Sequence, residues 1–182
     1  MTNANRYLGS AGALALSAVL AQPAMAAGTA SGSVITNTVT VDYQVGGVAQ
    51  TAATASNSVT VDRKVNLTVA EVGTTTTQVS PGQTNAVTSF TVTNLSNATL
   101  DFALAAAQAN GGAGAHSNTD TFDVTNVRIF VDSNTNGSFD AGTDQQVAYL
   151  DELAADQSRT VFVVADVPLG QTTGKVAAVT LT

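Results

Sequence analysis

From Ile35 to Val45 the chain alternates, with Ile35, Val39, Val41, Tyr43 and Val45 on odd positions and Thr36, Thr38, Thr40, Asp42 and Gln44 on even ones. A side-chain period of two suits a β-strand with one face buried and does not give a helix an apolar side. Gly46-Gly47 follows at once. Two glycines accept the positive φ angles of a type I′ turn, so Val48 to Thr54 is predicted to pair back on the first strand. The sequence Asn37-Thr38-Val39-Thr40-Val41-Asp42 then returns as Asn57-Ser58-Val59-Thr60-Val61-Asp62. Two copies do not make an array, and the repeat reads as shared strand grammar.

The same grammar runs to the end of the chain. Val65, Leu67 and Val69 alternate with polar neighbours, Phe90 and Val92 alternate with Thr91 and Thr93, and Asn94 to Asn97 turn the chain. Leu100, Phe102 and Leu104 alternate too. Ala103 to Ala109 taken alone favours helix, but the run is brief, Gly111-Gly112 ends it and its neighbours are strand-like, so a strand followed by a loop is predicted. Val124 to Val131 and Gln146 to Leu150 flank a polar loop. The run Val161-Phe162-Val163-Val164-Ala165 is apolar at every position, as in a central strand covered on both faces. Val176 to Leu181 is the last alternating segment. Many short Thr- and Val-rich strands punctuated by Gly and Asn predict an all-β fold, an antiparallel β-sandwich with an N-terminal β-hairpin extension. No helix is predicted after the leader.

The leader itself reads as a signal peptide helix. Arg6 precedes the apolar run Leu8 to Leu20, too short for an ordinary membrane span, and Ala24-Met25-Ala26 supplies the small residues of a cleavage site. The predicted division is a signal peptide over 1–26, a hairpin segment over 27–63 and a sandwich over 64–182. Export to the cell surface or the extracellular space follows, the periplasm being a further address, with no membrane insertion after signal cleavage. The chain has no cysteine, so a packed core or bound metal must stabilise the exported protein without disulfides. Once Arg6 is removed, five basic and 13 acidic residues remain, a net charge of −8. The basic residues Arg63, Lys64, Arg128, Arg159 and Lys175 are scattered, which argues against nucleic acid and against an anionic membrane surface.

Chemistry concentrates in Asp132-Ser133-Asn134-Thr135-Asn136-Gly137-Ser138-Phe139-Asp140. Oxygen-bearing residues at alternate positions around a glycine bend have the spacing of a calcium loop. The candidate ligands are Asp132, Asn134, Asn136, Ser138 through its carbonyl, Asp140 and Asp144, with Asp151 or Glu152 able to complete the shell. Thr143 occupies the position at which an EF-hand carries its bidentate glutamate, and no flanking helices are predicted, so a calcium-stabilised loop between strands fits better than a calcium switch. The other reading is an Asn/Gly turn capped by its own side chains.

Other candidates are weaker. His116, the single histidine, lies in the glycine-rich loop Gly111 to Ser117 and reads as a solvated loop residue. The carboxylate pairs Asp120 with Asp123 and Asp151 with Glu152 could in principle flank a sugar, but the chain has no tryptophan and three tyrosines, few platforms for a glycan. The expectation is that the chain is not an enzyme. Lys64 and Lys175 could join an asparagine in an isopeptide bond, though solvated strand-end lysines are the better reading. The Asn-x-Ser/Thr positions Asn66 and Asn97 are incidental in a bacterial host.

The stretch Phe90-Thr91-Val92-Thr93-Asn94-Leu95-Ser96-Asn97-Ala98-Thr99, with Leu153 to Val167 after it, resembles the immunoglobulin-like repeat modules of bacterial secreted and surface proteins known as domain of unknown function 11. The resemblance covers about residues 64–182, and its motifs are moderately specific. Ser33 to Asp62 is similar to the element that normally closes such a module, yet here it stands first. That arrangement fits one module with an added hairpin and equally a piece of a longer array. The resemblance implies an immunoglobulin-like sandwich acting as stalk, spacer or adhesive surface, with other copies or modules of surface proteins as partners. Exposed edges would permit strand addition between copies, as in a fibre subunit. The alternative is a ligand-binding module for surface glycans or proteins.

Overall fold

A computed structural model describes residues 28–182, and the predicted signal peptide, 1–26, lies outside the described residues. Period-two sequence becomes strand throughout. The N-terminal part is a long hairpin, in which β1 (Val34–Val41) pairs antiparallel with β4 (Ala53–Thr60). At its tip β2 (Gln44–Val45) pairs with β3 (Val48–Ala49). Gly46 and Gly47 make the turn at φ 58° and 81°, the positive values a type I′ turn needs.

Two expectations about this hairpin need correction. The returning strand does not stop at Thr54; it runs to Thr60 and so includes Asn57 to Thr60 of the second copy of the repeat. Asn37 therefore faces Asn57, and the two hexapeptides lie antiparallel about that pair. Nor is the strand half-buried. Every residue of β1 and β4 is exposed. Alternation made a strand, but among the described residues no second layer covers its apolar face.

The sandwich follows. β5 (Leu67–Glu71), β6 (Ala86–Asn94), β9 (Thr125–Val131), β10 (Gln145–Gln146) and β12 (Ser158–Asp166) form one sheet in the order β10-β9-β12-β6-β5, with every pair antiparallel. The facing layer is built on β7 (Leu100–Ala103) and β8 (Ala106–Gln108). β11 (Tyr149–Leu153) pairs with β7, and β13 (Val179–Leu181) pairs with β8. The Leu104 N–H donates to the Ala148 carbonyl and the Ala105 N–H to the Thr182 carbonyl. Successive N–H groups of a strand point to opposite sides, so β11 and β13 flank one irregular strand. Within Ala103–Ala109, once β7 has ended at Ala103, the strand is Ala106–Gln108, where a loop was expected, because pairing with β13 overrides the helical preference of alanine.

The core lies between the layers. Val92, Ile129, Val161 and Val163 from the larger sheet meet Phe102, Leu104, Leu150, Leu153 and Leu181 from the smaller one. β12 is central and buried from Val161 to Ala165, as its continuous apolar run predicted. Its other face is covered partly by Phe139, whose ring stands 4.9 Å from that of Phe130 and 6.0 Å from that of Phe162. Burial of each such side chain is worth about 1.5–3 kcal/mol. The described residues contain a single 3-10 turn, Ala115–Ser117, and no longer helix.

Candidate functional site

The polar loop joins the end of β9 to β10. Asp132 and Asp144 are both buried, and both spend their oxygens on backbone amides. Asp132 accepts from the N–H groups of Asn136 (3.2 Å) and Gly137 (2.8 Å). Asp144 accepts from Ser133 (3.0 Å) and Asp140 (2.8 Å), closing the loop on itself. Asn134 and Asn136 also cap the bend, each accepting from the N–H two residues on. Gly137 bends the chain at φ 77°, beside Thr135 at φ 58°. Positive φ is costly for a β-branched residue, and these caps hold it there.

Asp140 differs. Its Oδ2 receives the side-chain amides of Asn134 at 2.9 Å and Asn136 at 2.6 Å. The Asn134 amide, then the Asn136 amide, holds its carboxyl below the usual value. All six predicted ligands thus fall in one loop, with Asn134, Asn136 and Asp140 in mutual contact. Amide oxygen and nitrogen are assigned by hydrogen bonding, and turning either amide over would bring its oxygen to the same point. That turn would cost the Asx bonds to Asn136 and Ser138. Among the described residues no three carboxylate or imidazole groups are arranged around a common point. A cation here would draw on the Asp140 carboxylate, whose Oδ2 already takes two amides, with amide oxygens and carbonyls beside it, a donor set suited to weak binding of a hard cation. Asp151 and Glu152 are not brought to the loop's hydrogen-bond network. They sit on β11 in the other layer, where the Glu152 N–H is bonded to the Asp101 carboxylate at a bulge.

Beside the loop is a depression of about 370 Å³ lined by Asp132, Thr135, Asn136, Gly137, Ser158, Arg159 and Thr160. It is polar and without an aromatic wall. Of the remaining candidates, Asp120 and His116 are tied to the backbone or to a neighbour. Asp120 is buried and accepts from the N–H groups of Gly111 and Ala178, both at 2.8 Å, while Asp123 is exposed. His116 is not simply solvated. Its Nε2 lies 3.1 Å from the Glu71 carboxylate, and Asn118 donates to Thr76, so the glycine-rich loop is docked on the end of β5 and the segment after it. Lys64 and Lys175 are exposed, which does not provide the buried setting an isopeptide bond requires.

Sequence reasoning missed the second polar cluster, the turn from Asn94 to Asn97. Asn94 is fully buried; its amide nitrogen donates to the carbonyls of Ala98 (2.9 Å) and Leu153 (2.8 Å), and its oxygen accepts from the Ser96 N–H. The Ser96 hydroxyl donates to the Asn66 carbonyl and accepts from the Asn66 N–H. Asn97 reaches the hairpin root. It donates to the carbonyls of Thr29 and Asp62 and accepts from the Lys64 N–H, clamping both legs of the hairpin to the sandwich. The available signal was Val92-Thr93-Asn94 ending a strand, whose polar terminus faces inward. No protein-family model, curated protein or solved structure matches the chain, so the loop, the clamp and the hairpin carry the functional argument.

Proposed function

We propose that this chain is a non-catalytic, exported structural or adhesive module of a bacterial cell-surface or extracellular protein, of the immunoglobulin-like repeat type. One observation carries the reading: the buried chemistry-bearing side chains Asp120, Asp132, Asp144, Asn94 and Ser96 hold backbone in place. A buried carboxylate with both oxygens on backbone amides acts as a staple, and these staples stand where disulfides would in another exported domain. The hairpin is a further support, since every residue of its two long strands is exposed. Expression with its own leader in a bacterial host tests the export claim. The expected product starts at Ala27 and is protease-accessible on intact cells; retention inside the cell with residues 1–26 attached would overturn it.

The Asp132–Asp144 loop, in this reading, takes calcium through Asn134, Asn136, Ser138 and Asp140, with Asp132 and Asp144 shaping it. Weak extracellular sites have Kd of about 10⁻⁴ to 10⁻³ M. Calcium at ten times Kd stabilises by about 1.4 kcal/mol. Calorimetry should show melting rise with calcium, return with chelator, and lose the response in Asp140→Ala. A melting temperature indifferent to calcium removes the metal from the proposal and leaves the capped turn.

A further inference from the structure

We infer that the β1–β4 ribbon is the contact through which copies of this chain join, β1 pairing edge to edge and antiparallel with β1 of a second copy. The inference deepens the structural-module reading and rests on it for its biological purpose, but the association itself can be measured without it.

Among the described residues the ribbon is a two-stranded sheet with no further strand on either side. The Val61 N–H donates to the Ser33 carbonyl, which sets the alternation of the antiparallel ladder. Odd residues bond across the ribbon. Thr36 and Thr38 on β1, and Ser56 and Ser58 on β4, therefore turn their N–H and C=O groups outward, unpaired. Open edges of this kind template pairing, and proteins usually block them with lysine, proline or a bulge. None of these is present from Ser33 to Val61, and the β1–β4 register is unbroken. An isolated two-stranded hairpin is marginal in water, whereas more strands sharing an apolar face are stable. One face of this ribbon carries Ile35, Val39, Val41 and Val59, each between 44% and 63% exposed. Edge pairing would produce four strands and one continuous apolar face.

Charge selects the occupant. Asp42 is the single charged residue between Ser33 and Val61, whereas the other 12 acidic residues lie in the rest of the mature chain. Two acidic bodies repel, and the near-neutral ribbon, held out from the sandwich, is where two copies can meet. Antiparallel pairing of a strand with itself also needs only a two-fold axis, and it sets Thr beside Thr across the new ladder, a favourable pair. The β4 edge carries the same grammar in reverse through the repeat, so it can pair with β4 of a third copy and extend the assembly. Two strands meeting edge to edge make a narrow contact, so association is weak and concentration-dependent.

Sedimentation of the mature chain, residues 27–182, over about two decades of concentration tests this, because a weak self-contact shifts by mass action. The average mass should rise past that of a dimer. Thr38→Pro with Ser56→Pro removes outward N–H groups while keeping the ribbon's own bonds. Thr38→Lys with Ser56→Lys keeps every N–H and adds charge, giving a second test should the proline pair not fold. Both should stay monomeric with an unchanged β-sheet spectrum. A monomeric wild-type chain, or a lysine variant that associates as the wild type does, overturns the inference. A failure of export leaves this measurement untouched, and a monomeric result leaves the export reading standing.

Discussion

Strands β1 and β12 share a vocabulary of valine and threonine, yet β1 is exposed at all eight positions and β12 is buried from Val161 to Ala165. The difference is in what lies above each face. β12 has β6 and β9 beside it, the β7–β8 layer below and Phe139 above; β1 has only β4. Alternation reports that a segment is extended. Burial depends on whether a second layer is supplied, and among the described residues the ribbon has none.

The sharpest way to break this contrast is to truncate one side chain in each region. Phe162→Ala should cost about 3–5 kcal/mol in denaturant unfolding, the range for a fully buried aromatic. Val39→Ala in the ribbon should fall within about 0.5 kcal/mol. Comparable losses at both sites would mean that the ribbon face is covered in the isolated molecule. Next in size is Asn94→Ala, expected to cost about 3 kcal/mol, because the buried Leu153 carbonyl and Ser96 N–H and the part-buried Ala98 carbonyl lose their partner together. That loss should appear as a lower melting temperature of the sandwich.

Asn97→Ala separates the two regions. It removes the bonds to Thr29, Asp62 and Lys64 and should cost about 1 kcal/mol, with faster amide exchange in β1 and β4 and unchanged protection in β12. Equal loss of protection in both would show that ribbon and sandwich open as one unit. The smallest effect is a pH dependence confined to the sandwich. The carboxyl of Asp140 is held below 3.8 by Asn134 and Asn136, and that of Asp166 by the Asn126 side chain, the Asn85 amide and Arg128. A folded pKa below the unfolded one contributes stability that is complete above 3.8 and lost as pH falls through the folded values. The denaturation midpoint should be flat above that range and drop below it, less so in Asn134→Ala and Asn126→Ala.

Much of the fold was legible because strand grammar is local. Gly46-Gly47 marked the hairpin turn, the apolar run at Val161 marked the central strand, and the alternation of Leu100, Phe102 and Leu104 outweighed the alanines after them. The loop was legible as a loop with convergent oxygens because Asx caps and glycine act within a few residues. The Asn94–Asn97 clamp was hidden. Its partners Asp62, Lys64, Asn66 and Leu153 lie far along the chain, and an asparagine before a turn looks the same whether it caps locally or joins two layers.

The sequence by itself determined where the chain extends and where it turns, since backbone preference and side-chain period depend on near neighbours. Only the tertiary structure decided which apolar faces are covered and which carboxylates become staples. Both depend on which distant strand arrives, and for the ribbon none does among the described residues. Its alternation therefore ends as an exposed, nearly uncharged edge, because covering it would require a layer that the described chain has already used to build the sandwich.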